Sequence, residues 1–410
     1  MDTITHGITG ALIGKGFFSR RAARVVTFSA AIGAMFPDID VVREVFSRDP
    51  LAIVKYHRAI THSFVAMPFF ALILAWLTQA GVKFLRRRYS RFHDLESPSF
   101  GTLTVIYIVA IASHILLDGM TSFGTRMWYP LSQTRVAWDL LFIIDFSFTS
   151  LVLLPQIAAW IYSDREKAPK RAIAMTILFS CGAVAAWFIA GAVGFPFHFW
   201  IAIAAMLVIA VLFLAPMRNG AGFHISTPSW CRAGACLTVA YLVACGVAHH
   251  TALARAKAFA ASQNIAVERI AALPLPPSFL DWGDVIRSTN GVYQSRFDLR
   301  SPAPAAFRFR ADSPPDAYIA RALQLPEVQL YWSFARFPVI RSSEDEETGG
   351  HVVDFDENRF ITRRTHGPAP FSYRVIFDQA GDPVEEGWQA DGMDVRRMIK
   401  ILPPHSGATP

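Results

Sequence analysis

The sequence predicts a polytopic α-helical membrane bundle of about eight helices, the first two short enough to be re-entrant, followed by a C-terminal soluble domain of mostly β or α+β structure. Three observations carry this reading. The 410 residues are 53% hydrophobic and only 17% charged, whereas an ordinary globular chain is about 25% charged. The apolar excess is gathered into long uncharged stretches before residue 250, and Arg, Asp, Glu and Pro crowd the part after it. Two regions follow: 1–250, membrane-embedded, and 251–410, soluble.

A spanning helix needs about 20 mostly apolar residues. Two weaker stretches come first, Ile4 to Phe18 and Ala22 to Met35, separated by Lys15, Arg20, Arg21 and Arg24; they read as a helical hairpin of short or partly embedded helices. Five clear spans follow: Phe64 to Leu85, Thr102 to Leu117, Leu140 to Tyr162, Ala172 to Gly194 and Phe197 to Met217. Ala233 to Val247 is shorter but apolar enough to cross. The densest basic loops, Lys15 to Arg24, Arg86 to Arg91 and Arg165 to Arg171, belong on the cytoplasmic side. Threading the chain through them gives eight crossings with both ends outside, or six if the first hairpin is re-entrant. Asp2 to His6, Pro37 to His62, His114 to Asp145 and everything after His249 then share the outer face.

From Lys257 the chain turns polar, and Pro274, Pro276 and Pro277 mark a linker or entry turn. Val328 to Phe337, His351 to Ile361 and Tyr373 to Phe377 read as strands. Trp282, Tyr293 and Trp332 could line a groove, although core positions are commoner for aromatics in a small β domain. The tail from Leu402 to Pro410 is expected to be disordered.

The net charge of +7 does not argue for nucleic acid, because many of the cations flank apolar stretches, where they set orientation. No secretory leader is expected: Asp2 opens the chain and Lys15 interrupts the first apolar run. Cys181, Cys231, Cys236 and Cys245 all fall in the membrane region, leaving no disulfide for the C-terminal domain. The Cys231/Cys236 spacing is not a standard zinc spacing, so both are read as ordinary thiols.

Four segments combine His with carboxylates: Asp2, Thr5 and His6; Phe36-Pro37-Asp38-Ile39-Asp40; His57-Arg58 with Thr61-His62-Ser63; and Ser113-His114 with Asp118 and Thr121. The threading puts all four at one membrane face. Asp2/His6 and His114/Asp118 are i, i+4 pairs, each able to point two ligands into one cavity. Pro37 disfavours continued helix at Phe36 and leaves Asp38 and Asp40 in a turn. His57 belongs in a loop and His62 on the first turn of the next helix. Imidazole and carboxylate are ligands for zinc, manganese or iron, and such an ion lowers the pKa of bound water toward about 7. Candidate ligands are His6, Asp38, Asp40, His57, His62, His114 and Asp118, more than one tetrahedral zinc ion needs. Either two ions bind or some of these residues support the others. Ionisable groups beside membrane helices are costly and usually functional. Arg58 suits an anionic oxygen of a phosphate or carboxylate, or a lipid headgroup. Asp145, early in its span, could reach the site or cap a helix. His198, His249 and His250 lack nearby carboxylates, and His93, His224, His351, His366 and His405 read as loop or surface residues.

At these residues the chain resembles the YdjM-like membrane-bound metal-dependent hydrolase family. The matching pieces run from Asp2-Thr3-Ile4-Thr5-His6 through Phe36-Pro37-Asp38-Ile39-Asp40 and His57-Arg58 with Thr61-His62-Ser63. They end with Ser113-His114, Leu116-Leu117-Asp118 and Thr121-Ser122-Phe123-Gly124-Thr125. As an ordered set over about 130 residues the signal is specific; each piece alone is weak. The resemblance implies a bacterial cytoplasmic (inner) membrane hydrolase with these His and Asp positions as ligands or catalytic residues. The expected chemistry is hydrolysis, by metal-activated water at the outer face, of a phosphoester or related ester in a lipid or envelope precursor. Asp40 or Asp118 would serve as general base and Arg58 as anion clamp. The C-terminal domain would lie in the periplasm or exterior, as a lid, a substrate-selecting surface or a partner-binding module. Rival readings are a metal-ion or proton-coupled transporter and a non-catalytic membrane scaffold.

Overall fold

A computed structural model describes residues 1–18, 22–47, 49–192, 199–218, 220–276, 279–303, 305–345, 349–360, 370–389 and 399–401. Arg20, Arg21, Gly194, Phe197, His198, Pro277, Ile361, His366, His405 and the 402–410 tail lie outside the described residues. The chain divides into two compact units. One holds Met1–Pro37, Ala66–Leu117 and Ile144–Val243; the other holds Asp38–Val65, Asp118–Ile143 and Ala244–Pro410.

The first unit is helical. It contains α1 (Thr3–Phe17) and α2 (Ala23–Met35); α3 (Asp40–Phe46) and α4 (Ala52–Tyr56) follow in the second unit. The first unit resumes with α5 (Met67–Arg88), α6 (Phe100–Gly119), α7 (Phe146–Ile161), α8 (Ala168–Ala192), α9 (Phe199–Arg218) and the start of α10 (Thr227–Ser262). Among the described residues, six helical segments are long and apolar enough to cross a membrane: Ala23–Arg43, Met67–Arg88, Phe100–Gly119, Ala168–Ile189, Phe199–Arg218 and Thr227–Ser262. Phe69, Ile73, Trp76, Leu77 and Phe84 are exposed along α5, and Trp200, Leu207, Val208 and Val211 along α9. Apolar surface on that scale is a lipid-facing surface.

Two spans differ from their sequence reading. The segment read as Leu140 to Tyr162 becomes helical only at Phe146, because the Asp145 side chain accepts from Phe148 N at 2.9 Å and starts the helix there. The last helix, read as Ala233 to Val247, runs on to Ser262, so the polar stretch that opens at Lys257 begins inside a helix. Ala248, Ala252, Ala256 and Ala260 are buried on one face of it, spaced four apart as a helix requires.

Helices α1 and α2 lie almost in backbone contact. A Cβ added to Gly10 would fall 2.2 Å from Ala30 O and 2.7 Å from Ala34 Cβ. Small residues at such crossings let membrane helices approach closely.

The second unit is built on two antiparallel meanders. β1 (Val267–Pro274), β2 (Asp281–Ser288), β3 (Gly291–Asp298) and β4 (Phe307–Ala311) pair in sequence order. Trp282 and Phe297 pack on Ala248 and Ala252 of α10, and Ile286 packs on Ala256 and Ala260. After α11 (Ala317–Ala322) and α12 (Pro326–Phe334) come β5 (Pro338–Glu344), β6 (His351–Glu357), β7 (Ser372–Phe377), β8 (Pro383–Gln389) and β9 (Ile399–Ile401), again in order. The segment Val328 to Phe337, read as a strand, is largely helix α12. Pro326 starts it in the favoured first-turn position, and its buried residues Val328, Tyr331 and Phe334 recur every three residues, a helical rather than an alternating spacing. Trp282 is fully buried and Tyr293 packs against the core beside α10, whereas Trp332 is exposed.

Two loops, 38–65 and 118–143, belong to this unit and share its core. Leu51, Val54 and Phe123 pack with Val328, Tyr331, Phe334, Phe355, Tyr373 and Trp388. Arg336 makes two 2.8 Å bonds to the Asp139 carboxylate, Arg359 donates to Ser122 O and Phe123 O, and Trp388 donates to Pro50 O. The C-terminal domain therefore holds the loops that carry most of the His/Asp motifs.

Candidate metal centre

Outside α6, the candidate side chains are placed by local breaks in regular structure. Pro37 turns the end of α2 into a single 3-10 turn, Phe36–Ile39, which presents Asp38, and Asp40 begins α3. His57 caps the C-terminus of α4 in extended backbone. Arg58 then adopts φ +55°, a left-handed conformation that is unusual outside Gly and marks a backbone held by its surroundings. His62 ends the short 3-10 turn Ile60–His62. It therefore precedes the long α5 rather than occupying its first turn. His114 and Asp118 lie one turn apart in the last part of α6.

Asp38, His62 and Asp118, with His114 one turn before Asp118 on the same helix, form a group able to hold a metal ion. Each residue can offer one ligand atom, and these atoms lie within 4.8 Å of one another. His62, His114 and Asp118 are fully buried. His62 Nε2 faces Asp118 Oδ2 at 3.2 Å and Asp38 Oδ1 at 3.6 Å, so two carboxylate oxygens converge on a nitrogen that has one proton or one lone pair to offer. On its other side, Nδ1 lies 3.3 Å from Asp40 Oδ2. Burial alone would lower the His62 pKa, but the bonds to Asp118, Asp38 and Asp40 outweigh it and raise it to about 10. The site is thus strongly electronegative, the setting a divalent cation requires.

Asp40 and His57 stand outside that four-residue group. Asp40 collects donors: Arg58 N at 2.9 Å, Thr61 Oγ1 at 3.2 Å and His57 Nδ1 at 3.2 Å, besides the His62 contact. A carboxylate behind the remote nitrogen of a ligating imidazole fixes its tautomer and orientation. His114 is fixed in the same way by a 2.6 Å bond from Nδ1 to Ala34 O. The fully buried His6 stacks on the His114 ring, with centroids 3.7 Å apart and planes 23° apart. Asp2 does not share a binding face with His6; it caps α1, accepting from Thr5 N at 2.9 Å.

Arg58 is only 2% exposed. Its Nε lies 2.9 Å from Asp118 Oδ2, and its Nη1 donates to Asp118 O at 3.1 Å and Thr121 Oγ1 at 2.8 Å. This geometry holds Asp118 in place. Asp145 caps its own helix and accepts from Tyr241 OH at 2.8 Å. The sequence reading had given no role to Thr61 and Thr121, although both lay inside the quoted motifs; a hydroxyl beside a charged residue was the available signal.

The donor chemistry fits a divalent ion: two imidazoles and two carboxylates, three of them buried, with both imidazoles braced by hydrogen bonds on Nδ1. Residues 1–194 match the family described as YdjM inner membrane protein. The chain is also 25% identical over 168 residues to the Bacillus subtilis (strain 168) protein described as "Uncharacterized protein YfhP", covering 39% of this chain and 46% of that protein. The chain thus spans under half the length of the curated relative it matches. No solved structure matches it significantly. Residues 1–194, which carry every member of the His/Asp cluster, are therefore similar to the YdjM inner membrane protein family.

Proposed function

We propose that this protein is a membrane-bound metal-dependent hydrolase of the bacterial inner membrane, acting on a phosphoester or related ester in a lipid or envelope precursor. The observation that carries the reading is the group Asp38, His62, His114 and Asp118. These four residues would hold the ion, with zinc the first expectation and manganese or iron compatible with the same donors. When bound, such an ion supplies a Lewis acid that lowers the pKa of water and polarises an ester oxygen.

The chain's own residues take the remaining roles. Asp40 orients His57 and His62, and Arg58 holds Asp118. His57, with 15% of its side chain exposed and its Nδ1 against Asp40, is placed to accept a proton from an attacking water and return it to a leaving group, as an oriented imidazole does in general base catalysis. His6 packs His114 into position. Basic-loop placement supports a site, and a domain of residues 251–410, on the periplasmic side.

A transporter would be expected to bind its ion near mid-membrane on broken helices. Asp38 and His62 sit in short turns and Asp118 in the last turn of α6, which favours the enzyme. One observation favours the scaffold reading: four protein ligands suffice to close a tetrahedral zinc shell. Metal analysis of detergent-purified protein decides between them when combined with the coordination number from X-ray absorption and a screen of phosphoester and ester substrates. A stoichiometric ion, lost in His62→Ala and His114→Ala at equal folded yield and carrying an open position, supports the hydrolase. A saturated four-coordinate ion with no turnover supports the scaffold, and well-folded protein that takes up no metal refutes both.

A further inference from the structure

Around the candidate centre the second unit buries several arginines, and most are matched by a carboxylate. Arg58 faces Asp118, Arg359 faces Glu357 at 3.2 Å, and Arg336 grips Asp139. Arg126 and Arg135 are different: among the described residues neither has a carboxylate within ion-pair distance. They are held side by side, because Arg126 Nη2 and Arg135 Nη2 both donate to the single oxygen Val54 O, at 2.9 and 2.8 Å. Their remaining hydrogen-bond partners among the described residues are neutral: Lys55 O and Gln133 Oε1 for Arg126, Gly124 O for Arg135. Arg126 is 9% exposed, and among the described residues its Nε meets no acceptor.

Two adjacent guanidinium groups largely withdrawn from water, with no carboxylate at ion-pair distance among the described residues, are unfavourable, because carbonyl dipoles return only part of the lost hydration. Burial first, then the charges of Arg126, Arg359 and Arg58, hold the Arg135 pKa well below the ordinary value. Arginine nevertheless stays protonated in proteins, so the pair calls for an anion. A single carboxylate would neutralise one of the two charges. A phosphomonoester carries about −1.5 to −2 at pH 7 and three acceptor oxygens, and it matches the planar guanidinium fork.

The pair also stands beside the candidate centre. The Phe123 ring lies 5.5 Å from Arg135 Cζ, 5.1 Å from Arg58 Cζ and 5.2 Å from the His57 ring, and Arg126 N donates to Arg58 O at 3.1 Å. Arg135 is only partly buried, which leaves the pair open to a ligand. We infer that Arg126 and Arg135 form an oxyanion subsite that takes the phosphoryl group of the substrate. Its link to catalysis rests on the hydrolase reading above; the binding itself does not.

The test uses the full-length chain in detergent, both metal-loaded and stripped with chelator, titrated calorimetrically with inorganic phosphate. The expected result is one phosphate per chain in both states, weakened about 10-fold or more in Arg126→Gln and in Arg135→Gln, with metal stoichiometry unchanged in the loaded variants. If the glutamine variants do not fold, Arg126→Lys and Arg135→Lys keep the charge but lose the fork; weakened phosphate binding in them supports the subsite and unchanged binding overturns it. Wild type that fails to bind phosphate, glutamine variants that bind as wild type, or metal loss accompanying loss of phosphate would each overturn it. Competition distinguishes the source. Phosphatidate in mixed micelles displacing phosphate far better than glycerol 3-phosphate indicates a lipid headgroup; equal displacement indicates a soluble phosphoester. Phosphate binding that survives without metal uptake or turnover would reject the hydrolase while keeping the subsite.

Discussion

Asp40→Asn is the most informative single change at the candidate centre. Asp40 takes contacts from four donors at 2.9 to 3.3 Å: Arg58 N, Thr61 Oγ1 and the Nδ1 atoms of His57 and His62. An asparagine has the same shape, but one of its two terminal atoms becomes an amide that points hydrogens at these donors. The result is lost orientation of His62 while all four proposed ligands, Asp38, His62, His114 and Asp118, remain. Loss of such a supporting carboxylate typically weakens metal affinity about 10- to 100-fold, equivalent to about 1.4 to 2.7 kcal/mol. Competition against chelators of graded affinity, read by metal content at equal folded yield, measures it. The expected outcome is unchanged stoichiometry with affinity reduced by that factor. Affinity equal to wild type would show that Asp40 does not brace His62. Metal loss as complete as in His62→Ala would make Asp40 a ligand itself.

Three further outcomes test the surrounding structure. Asp284 is buried with no hydrogen-bond partner for either oxygen among the described residues, and burial, opposed by the charge of Arg255, pushes its pKa up to about 8. Its folded pKa exceeds the unfolded value of about 3.9, so its neutral form favours folding at low pH and that contribution is lost as pH rises from about 4 to about 8. Asp284→Asn should therefore gain thermal stability over wild type more at pH 8 than at pH 5; an unchanged pH slope of melting temperature would reject the assignment. For the Arg336–Asp139 pair, whose Asp139 side chain is only 6% exposed, a double-mutant cycle should give a coupling of about 1.5 to 3 kcal/mol, with faster proteolysis of the 118–143 loop in either single variant. Gly10→Ala should lower folded yield, because its Cβ would fall 2.2 Å from Ala30 O, whereas Gly81→Ala, whose Cβ would meet nothing within 4 Å among the described residues, should be neutral or mildly stabilising.

Which parts were legible in advance follows from the range of the forces involved. The helical bundle was legible because spanning a bilayer demands long apolar runs, and α5, α6, α8 and α9 each show one. Asp38, His62, His114 and Asp118 were legible only as members of a wider set with His6, Asp40 and His57, because His and Asp near span ends have few structural uses. Their division of labour was not. His57 and Asp40 carry the same residue types as the four grouped residues, and only the folded distances separate residues facing the centre from those bracing it. Arg58 reads from the sequence as an anion clamp, and its burial against Asp118 and Thr121 is set only by the fold.

By itself, the sequence determined that the chain spans a membrane, that its His/Asp motifs occupy span ends, and that a separate region rich in strands follows. Hydropathy and residue type are properties of short segments, so a linear reading reaches them. Only the tertiary structure decided that α12 is a helix, that α10 extends to Ser262, that loops 38–65 and 118–143 share a core with the C-terminal domain, and that Arg126 and Arg135 meet at Val54 O. Those outcomes depend on what packs against each segment from far along the chain, and burial, ion pairing and shared hydrogen bonds between distant residues exist only once the chain has closed on itself.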